Sequence, residues 1–179
     1  MAKITPVGRV SFPELFEPTQ FKGQGDFKFR VTLIFEPNAP GLEQLRKDVL
    51  ENAKAKWPAG IPKNWQDPFI DGDSLDKPEC AGKVVVRFTA NDDRPPGILN
   101  ADKSPITKES GLLYSGCYAR LSYNCFSYDH GKVGTSCGMN NVQKTGDGDA
   151  LDGRTMAEDD FDAVELTSVN ASDDDEMPF

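Results

Sequence analysis

Residues 26–35 read DFKFRVTLIF, and apolar and polar side chains alternate along most of this stretch. Successive side chains of an extended chain point to opposite faces, so the alternation predicts a half-buried β-strand. The predicted inner face comprises Phe27, Phe29, Val31, Leu33 and Phe35. The outer face comprises Lys28, Arg30 and Thr32. We expect the rest of the fold to be a β-sheet built around this strand.

Two further segments repeat the alternation. In residues 3–12, the apolar side chains of Ile4, Val10 and Phe12 share one parity. Pro6 and Gly8 weaken the strand prediction, but they suit a first or bent strand of a barrel. Residues 83–90 form the other predicted strand. Its inner face comprises Val84, Val86 and Phe88, and its outer face comprises Lys83, Val85, Arg87 and Thr89. A turn or protruding loop follows at residues 91–97.

A hairpin is predicted from residues 116–129 and 132–144, which flank a turn at Asp129-His130-Gly131. On its first arm the inner parity comprises Cys117, Ala119, Leu121, Tyr123 and Cys125. The outer parity comprises Tyr118, Arg120, Ser122, Asn124, Phe126 and Tyr128. Thr155 and Glu158 then have the spacing of a capping box for a short helix through Phe161. Residues 164–169 are predicted as a last edge strand.

One helix is predicted at residues 42–57, where apolar side chains recur every three or four positions until Pro58 and Gly60 end it. Its charged face is interpreted as solvated. The Pro- and Asp-rich stretch 61–78 that follows contains Trp65 and Phe69, which we expect to pin the loop onto the core.

Five strands, one helix and long excursions predict a mainly β fold. The pattern fits a small, partly open, five-stranded Greek-key barrel of the oligonucleotide/oligosaccharide-binding type, with one amphipathic helix and a disordered acidic tail. A β-sandwich is the alternative, although residues 42–57 would then be an unexplained insertion. We expect one domain at residues 1–166 and a tail at residues 167–179.

Charge is distributed unevenly along the 179 residues. The net charge of -9 belongs to the C-terminal end, because residues 1–146 carry 19 basic and 17 acidic side chains. A mildly basic body with an acidic tail is typical of nucleic-acid-binding proteins. The four cysteines lack CxxC spacing and there is one histidine, which favours reduced, buried thiols over a zinc site. No apolar run is long enough for a membrane span and no signal peptide is evident, so a soluble intracellular protein is expected.

Cationic side chains occupy the outer parity of every main predicted strand. Single-stranded nucleic acid needs cations along its phosphates and aromatic rings under its unstacked bases. Exposed strand positions favour such residues in any protein, so one strand would mean little, but four strands agree. The candidate nucleic-acid-binding residues are Lys3, Arg9, Lys28, Arg30, Lys83, Arg87, Tyr118, Arg120, Phe126, Tyr128 and Lys132.

The chain ends in DDDEMPF, residues 173–179. Dense like charges keep such a segment extended, while the terminal Phe179 can dock in an apolar pocket on a partner or compete for the basic face of the chain itself. A purely solubilising tail is the alternative, but it has no use for an apolar tip. The candidate partner-binding residues are Asp173, Asp174, Asp175, Glu176, Met177, Pro178 and Phe179.

Catalysis and metal binding are not expected. His130 beside Asp129 is better explained by the hairpin turn than by a Cys-His-Asp site. The stretch 147–153 resembles a calcium loop, but Leu151 stands where a ligand is required. No Gly-rich phosphate loop is present, and no cofactor is predicted.

Several motifs carry a family resemblance. They are Tyr114-Ser-Gly-Cys-Tyr118, Gly138-Met-Asn-Asn-Val-Gln143, Asp147-Gly148 and Ala157-Glu-Asp-Asp-Phe161. They resemble the motifs of a family of bacteriophage single-stranded-DNA-binding proteins, and the C-terminal tip is similar to that of bacterial single-stranded-DNA-binding proteins. The resemblance implies an oligonucleotide-binding fold, coating of single strands in phage replication or recombination, no cofactor, and action in the cytoplasm of the infected host.

The expected partners are single-stranded DNA and, through the tail, a polymerase, helicase, nuclease or recombinase. A homodimer stays open. Two other functions also stay open: a strand-annealing recombination protein, and an acidic adaptor or DNA mimic that binds a host protein. The mimic has no need of the basic strand faces.

Overall fold

A computed structural model describes residues 2–21, 23–151 and 161–166. These residues form one α-helix, α1, at Leu42–Lys56 and eight β-strands. The strands are β1 Lys3–Ile4, β2 Gly8–Phe21, β3 Gln24–Phe35, β4 Phe69–Asp71, β5 Val84–Asn91, β6 Gly97–Leu99, β7 Tyr118–Tyr128 and β8 Gly134–Gly146. Short 3-10 helices lie at Gly72–Leu75, Pro78–Cys80 and Lys108–Ser110. The described part contains no helix of the length and apolarity that a membrane crossing requires.

Five strands close into a barrel. β2 pairs with β3, β3 with β5, β5 with β8, β8 with β7, and β7 again with β2. The pairs are antiparallel except between β5 and β8, which run parallel. β1, β4 and β6 extend this ring at its edges. The predicted mainly β barrel of the oligonucleotide/oligosaccharide-binding type is therefore confirmed.

Alternation explains the interior of the barrel. The predicted inner residues Val31, Leu33, Val86 and Phe88 are almost completely buried, and so is Leu121 of the predicted hairpin. α1 packs against β7 and β8. It buries the predicted apolar stripe of Leu42, Leu45, Val49 and Ala53, together with Asp48. Apolar burial of this extent is the main favourable contribution to folding.

The excursion from β4 to β5 covers part of the outer face of the barrel. Ile34 and Val85 are directly opposite each other on β3 and β5, and Cys80 packs against them from the second 3-10 helix. Val85, predicted on the solvent side, has the expected parity but is 1% exposed because this excursion lies over it. One end of the outer β3–β5 face is thus closed, and the other end is open.

Trp65 and Phe69 pin the preceding loop as predicted. The Trp65 indole donates a hydrogen bond of 2.9 Å to the Thr135 hydroxyl. Both aromatic side chains pack against the main core. The guanidinium of Arg46 lies 4.2 Å from the centroid of the Phe69 ring. These contacts tie the loop to α1 and β8.

Three expectations about the strands are corrected. β2 continues to Phe21, beyond the predicted end at Phe12, because register shifts accommodate its prolines. Phe27, predicted on the inner face, is 49% exposed because β3 there extends beyond the barrel core. Residues 164–166 are exposed and form no strand, so that part of the predicted edge strand is wrong. Its remainder at 167–169, the capping box at 155–158 and the tail lie outside the described residues.

Candidate nucleic-acid interface

A groove runs along the open end of the outer β3–β5 face. It consists of two adjoining hollows that share Thr89. The larger, about 500 Å³, is lined by β2, β3, β5 and the excursion that contains Lys77. The smaller, about 310 Å³, is lined by β3, β5, β7, β8 and the loop that contains Arg94. We call the two hollows together the β3/β5 groove.

The strand register explains how side chains reach this groove. Across the β3–β5 ladder Lys28 is opposite Asn91, Arg30 is opposite Thr89, and Thr32 is opposite Arg87. Directly opposite side chains on one face of a sheet lie about 5 Å apart, and diagonal ones about 7 Å apart. Arg30 and Arg87 are therefore diagonal neighbours on the outer face.

The groove is strongly cationic. Its lining includes the five cationic side chains of Lys28, Arg30, Lys77, Arg87 and Arg94, and a single carboxylate, that of Glu14. A concave surface with this excess attracts polyanions, and low-dielectric walls strengthen the attraction. The hollow around Asp48, by contrast, is lined by Lys3 and by two carboxylates.

The five cations differ in how they are held. Arg30 Nη1 donates hydrogen bonds to the carbonyl of Thr19 and, at 2.9 Å, to the Thr19 hydroxyl, and it lies 4.0 Å from the Glu14 carboxylate. Among the described residues, Lys28, Arg87 and Arg94 make no ion pair. Arg30 therefore helps to fix the groove wall and Lys77 lies over the Phe12 ring, whereas Lys28, Arg87 and Arg94 are available to a ligand.

Gly138 lines the smaller hollow, where it leaves room for the side chain of Asn124. A Cβ at this position would lie 2.7 Å from Asn124 Oδ1, so the absence of a side chain lets Asn124 lie across β8. The amides of Asn124 and Asn140 line the hollow, and the Phe126 ring beside them is 38% exposed. Amides can donate and accept hydrogen bonds, and an exposed ring can stack on a base.

Four of the predicted site residues lie in this groove: Lys28, Arg30, Arg87 and Phe126. Three other predicted residues lie outside the groove and contact other parts of the protein. Lys3 lies 3.5 Å from the Asp48 carboxylate, and Lys83 pairs with Glu36 at the closed end of the β3–β5 ladder. Arg9 donates to the carbonyls of Gly116 at 3.3 Å and Asp149 at 2.6 Å.

The remaining four predicted residues belong to the β7–β8 hairpin and are dispersed along it. Arg120 donates to Gln143 at 3.0 Å and lines a separate hollow of about 220 Å³. Tyr118 is opposite Gly146, far along the strand from Phe126. The Tyr128 hydroxyl donates to Gln66 at 3.2 Å, and Lys132 is exposed in the hairpin turn.

Sequence reasoning missed several groove residues. Arg94 belongs to the predicted protruding loop and Lys77 to the irregular excursion, where parity gives no direction for a side chain. Asn124 had the outer parity but was not selected because it is neither cationic nor aromatic. Phe12 was placed on the parity of Val10, yet it lines the larger hollow.

Two motifs of the resemblance, residues 114–118 and Asp147-Gly148, contact each other outside the groove, whereas Gly138 and Asn140 of a third motif line its smaller hollow. The Tyr114 hydroxyl lies 2.9 Å from the Gly148 carbonyl and 3.1 Å from Asp147 Oδ1. Lys144, buried to 5% exposure, lies 2.6 Å from the Asp147 carboxylate, and its hydrogen bond lowers the pKa of that carboxyl. These contacts join residues 114–118 to the end of β8.

The four cysteine side chains lie mostly in the interior. Cys80, Cys117 and Cys137 are buried and Cys125 is partly buried, as predicted, and all four are free. Burial raises the pKa of Cys117, which keeps its thiol protonated. Within residues 2–21, 23–151 and 161–166 there is no cluster of three or more potential metal ligands of the His, Cys, Asp and Glu types.

A family model and a curated phage protein both match nearly the whole chain. Residues 1–177 match the sequence model of the family described as Enterobacter phage Enc34, ssDNA-binding protein. "Putative protein p50" of Acyrthosiphon pisum secondary endosymbiont phage 1 is 31% identical over 176 residues, covering 88% of this chain and 91% of that protein.

Two solved structures share the fold. The single-stranded DNA-binding protein from bacteriophage Enc34, in complex with ssDNA, gives a TM-score of 0.70 at 22% identity, covering 82% of this chain and 87% of that one. The protein gp2.5, a single-stranded DNA-binding protein encoded by bacteriophage T7, gives 0.64 at 11% identity, covering 87% and 97%. At these identities the likeness is one of fold.

Proposed function

This chain belongs to the family of the Enterobacter phage Enc34 ssDNA-binding protein, and on that premise we propose that it binds single-stranded DNA along the β3/β5 groove. The observation that carries the proposal is the lining of the groove by five cationic side chains and one carboxylate. In barrels of this type the face of the second and third strands, which are β3 and β5 here, is a common site for oligonucleotides.

The chemistry of the groove favours binding without strong sequence preference. Lys28, Arg87 and Arg94 would contact phosphates, which are the same at every nucleotide. The exposed ring of Phe126 would stack on a base, and every base has a face that can stack. We propose a binding protein that performs no chemistry on the strand and coats it during phage DNA replication or recombination, in the cytoplasm of the infected bacterial host.

We further propose that the acidic C-terminal tail, residues 167–179, competes with DNA for this groove and recruits replication or recombination proteins. Support comes from charge, because residues 173–176 are four consecutive acids and the groove is cationic. A flexible chain of this length has a mean reach of roughly 20 Å. Tethering gives an effective concentration on the order of millimolar, so a weak attraction would suffice.

The test is a titration of labelled oligonucleotides with the full chain and with a variant that lacks residues 173–179, at several salt concentrations. We expect the logarithm of the affinity to fall linearly with the logarithm of the salt concentration. At low salt the chain without the tail should bind more tightly than the full chain. A variant of full length with Asp173→Asn, Asp174→Asn, Asp175→Asn and Glu176→Gln is the matched control. It should bind DNA like the truncated chain while keeping the apolar tip.

Each outcome bears on a different part of the proposal. If neither chain binds oligonucleotides, the DNA-binding function fails and an acidic adaptor is favoured. If both chains bind equally at low salt, the proposal that the tail competes with DNA is wrong, while the DNA-binding function still stands. A parallel strand-annealing assay separates coating from annealing, and capture of purified polymerase, helicase, nuclease or recombinase by the full chain but not the truncated one tests recruitment.

A further inference from the structure

Phe12 occupies an unusual position at the rim of the larger hollow. Its side chain is 62% exposed, and its backbone φ is 48°, in the left-handed region that residues other than glycine rarely adopt. A register shift between Ser11 and Glu14 marks a bulge at this point of β2. Bulges re-aim side chains, and here the bulge turns a residue of inner parity outward.

The surroundings hold Phe12 in this exposed position. Its backbone N–H donates a 3.4 Å hydrogen bond to the Ser115 hydroxyl. The Lys77 ammonium lies 4.1 Å from the centroid of its ring, in a cation–π contact. An exposed aromatic ring on strained backbone does not contribute to the core, and such strain is found mainly at functional sites.

The hollow beside Phe12 has an apolar floor and a cationic rim. Leu75, Cys80 and Val85 supply its apolar lining, while Lys77 and Arg87 supply cationic side chains. Its volume of about 500 Å³ lies within the usual range for pockets that bind small organic groups. A flat, largely apolar group with an anion on each side would match both the floor and the rim.

Resting on the proposed function, we propose that this hollow is a nucleobase pocket in which an unstacked base packs against the ring of Phe12. The phosphates flanking that base contact Lys77 and Arg87. Cations also continue beyond Thr89, where Lys28 and Arg94 line the smaller hollow. Because cationic side chains lie on both sides of the pocket, it fits a strand that continues in both directions better than it fits a chain terminus such as Phe179.

The test replaces Phe12 by glycine in the full chain. Glycine adopts positive φ readily, so Phe12→Gly removes the ring and relieves the strain, and thermal stability should not fall. Loss of one stacked base should weaken binding of an oligothymidylate by roughly 5- to 150-fold, with the salt dependence unchanged. Leu112→Ala removes another exposed apolar side chain, 39% exposed and outside the groove, and should leave affinity unchanged.

An oligonucleotide of the same length with abasic residues distinguishes stacking from a structural effect. The wild-type and Phe12→Gly chains should bind it equally, because it offers no base to the ring. As a second readout, Phe12→Trp adds an indole to Trp57 and Trp65, so oligothymidylate, but not the abasic strand, should quench its fluorescence more than that of the wild-type chain.

Three outcomes would overturn the pocket. One is equal binding of oligothymidylate by both chains, which leaves DNA binding itself intact. Another is an equal loss of affinity on base-containing and abasic strands. The third is quenching of Phe12→Trp by a peptide of sequence DDDEMPF but not by DNA, which would assign the hollow to the tail tip. If the wild-type chain binds no oligonucleotide at all, the proposed function fails together with the pocket.

Discussion

The hydroxyl of Tyr123 on β7 donates a hydrogen bond to the carboxylate of Asp48 on α1, and both side chains are buried. Gln44 donates to the same carboxylate at 3.0 Å, and the Lys3 ammonium lies 3.5 Å away. Burial by itself would raise the pKa of Asp48, but these three partners outweigh it and the net pKa is lowered. The charged carboxylate thus joins the helix to the barrel.

The lowered pKa of Asp48 makes stability depend on acid. A carboxyl whose folded pKa lies below its unfolded value stabilises the protein above the unfolded pKa, and this stabilisation is lost as the pH falls through the folded pKa. We expect the wild-type chain to be more stable than Asp48→Asn near neutral pH. The difference should shrink below about pH 4, the ordinary range for aspartate.

Urea unfolding of both chains at a series of pH values between neutral and strongly acidic measures this difference directly. Other carboxylates with lowered pKa, such as Asp147, are present in both chains and cancel in the comparison. A difference in stability that stays constant at every pH would mean that the pKa of Asp48 is the same in the folded and unfolded states.

Two cations of the groove should contribute separately to the salt dependence of DNA binding. Arg87→Gln and Lys28→Gln each remove one phosphate contact, so each should reduce the slope of log affinity against log salt concentration by about 0.7. Lys54→Gln, on the exposed face of α1, is the control and should leave the slope unchanged. Equal slopes for all four chains would show that the strand lies elsewhere.

Gly134 and Gly146 on β8 provide a matched test of packing. A Cβ at Gly134 would lie 2.5 Å from the Tyr128 hydroxyl and 2.8 Å from the ring, whereas a Cβ at Gly146 meets nothing within 4 Å. The Cβ at Gly134 would also lie 3.0 Å from Gln66 Cβ. Because overpacking costs about 1–3 kcal/mol, Gly134→Ala should lower the free energy of unfolding by that amount. Gly146→Ala should change it little in the same denaturant titration. Equal effects would refute the close approach of Tyr128.

The sequence predicted the barrel strands and the helix because both obey a simple period. Residues 26–35 and 83–90 alternate clearly, and most of their predicted inner residues are buried, Phe27 being the exception. The continuation of β2 was missed because Pro13 and Pro18 interrupt its pattern, and a strand with bulges keeps no parity. The burial of Val85 depends on a distant excursion that no local pattern reveals.

The sequence predicted only some of the residues of the candidate site, and the reason is geometric. Outward side chains of a closed barrel point radially, so equal parity on different strands does not mean a shared surface. Lys28, Arg30 and Arg87 meet because β3 and β5 are neighbours. Arg120 has the same outer parity but faces another direction. Lys77 and Arg94 come from irregular segments, and their position follows only from the folded chain.

The parallel seam between β5 and β8 consists of two residue pairs, Phe88 with Cys137 and Thr89 with Gly138. Thr89 and Gly138 also line the β3/β5 groove, so the barrel wall is sparsely bonded directly beneath the proposed ligand. Parallel pairing is also slightly weaker per residue than antiparallel pairing. A DNA strand that contacts both β5 and β8 would bridge this weak pairing. The DNA-bound protein should then resist unfolding more than the free protein.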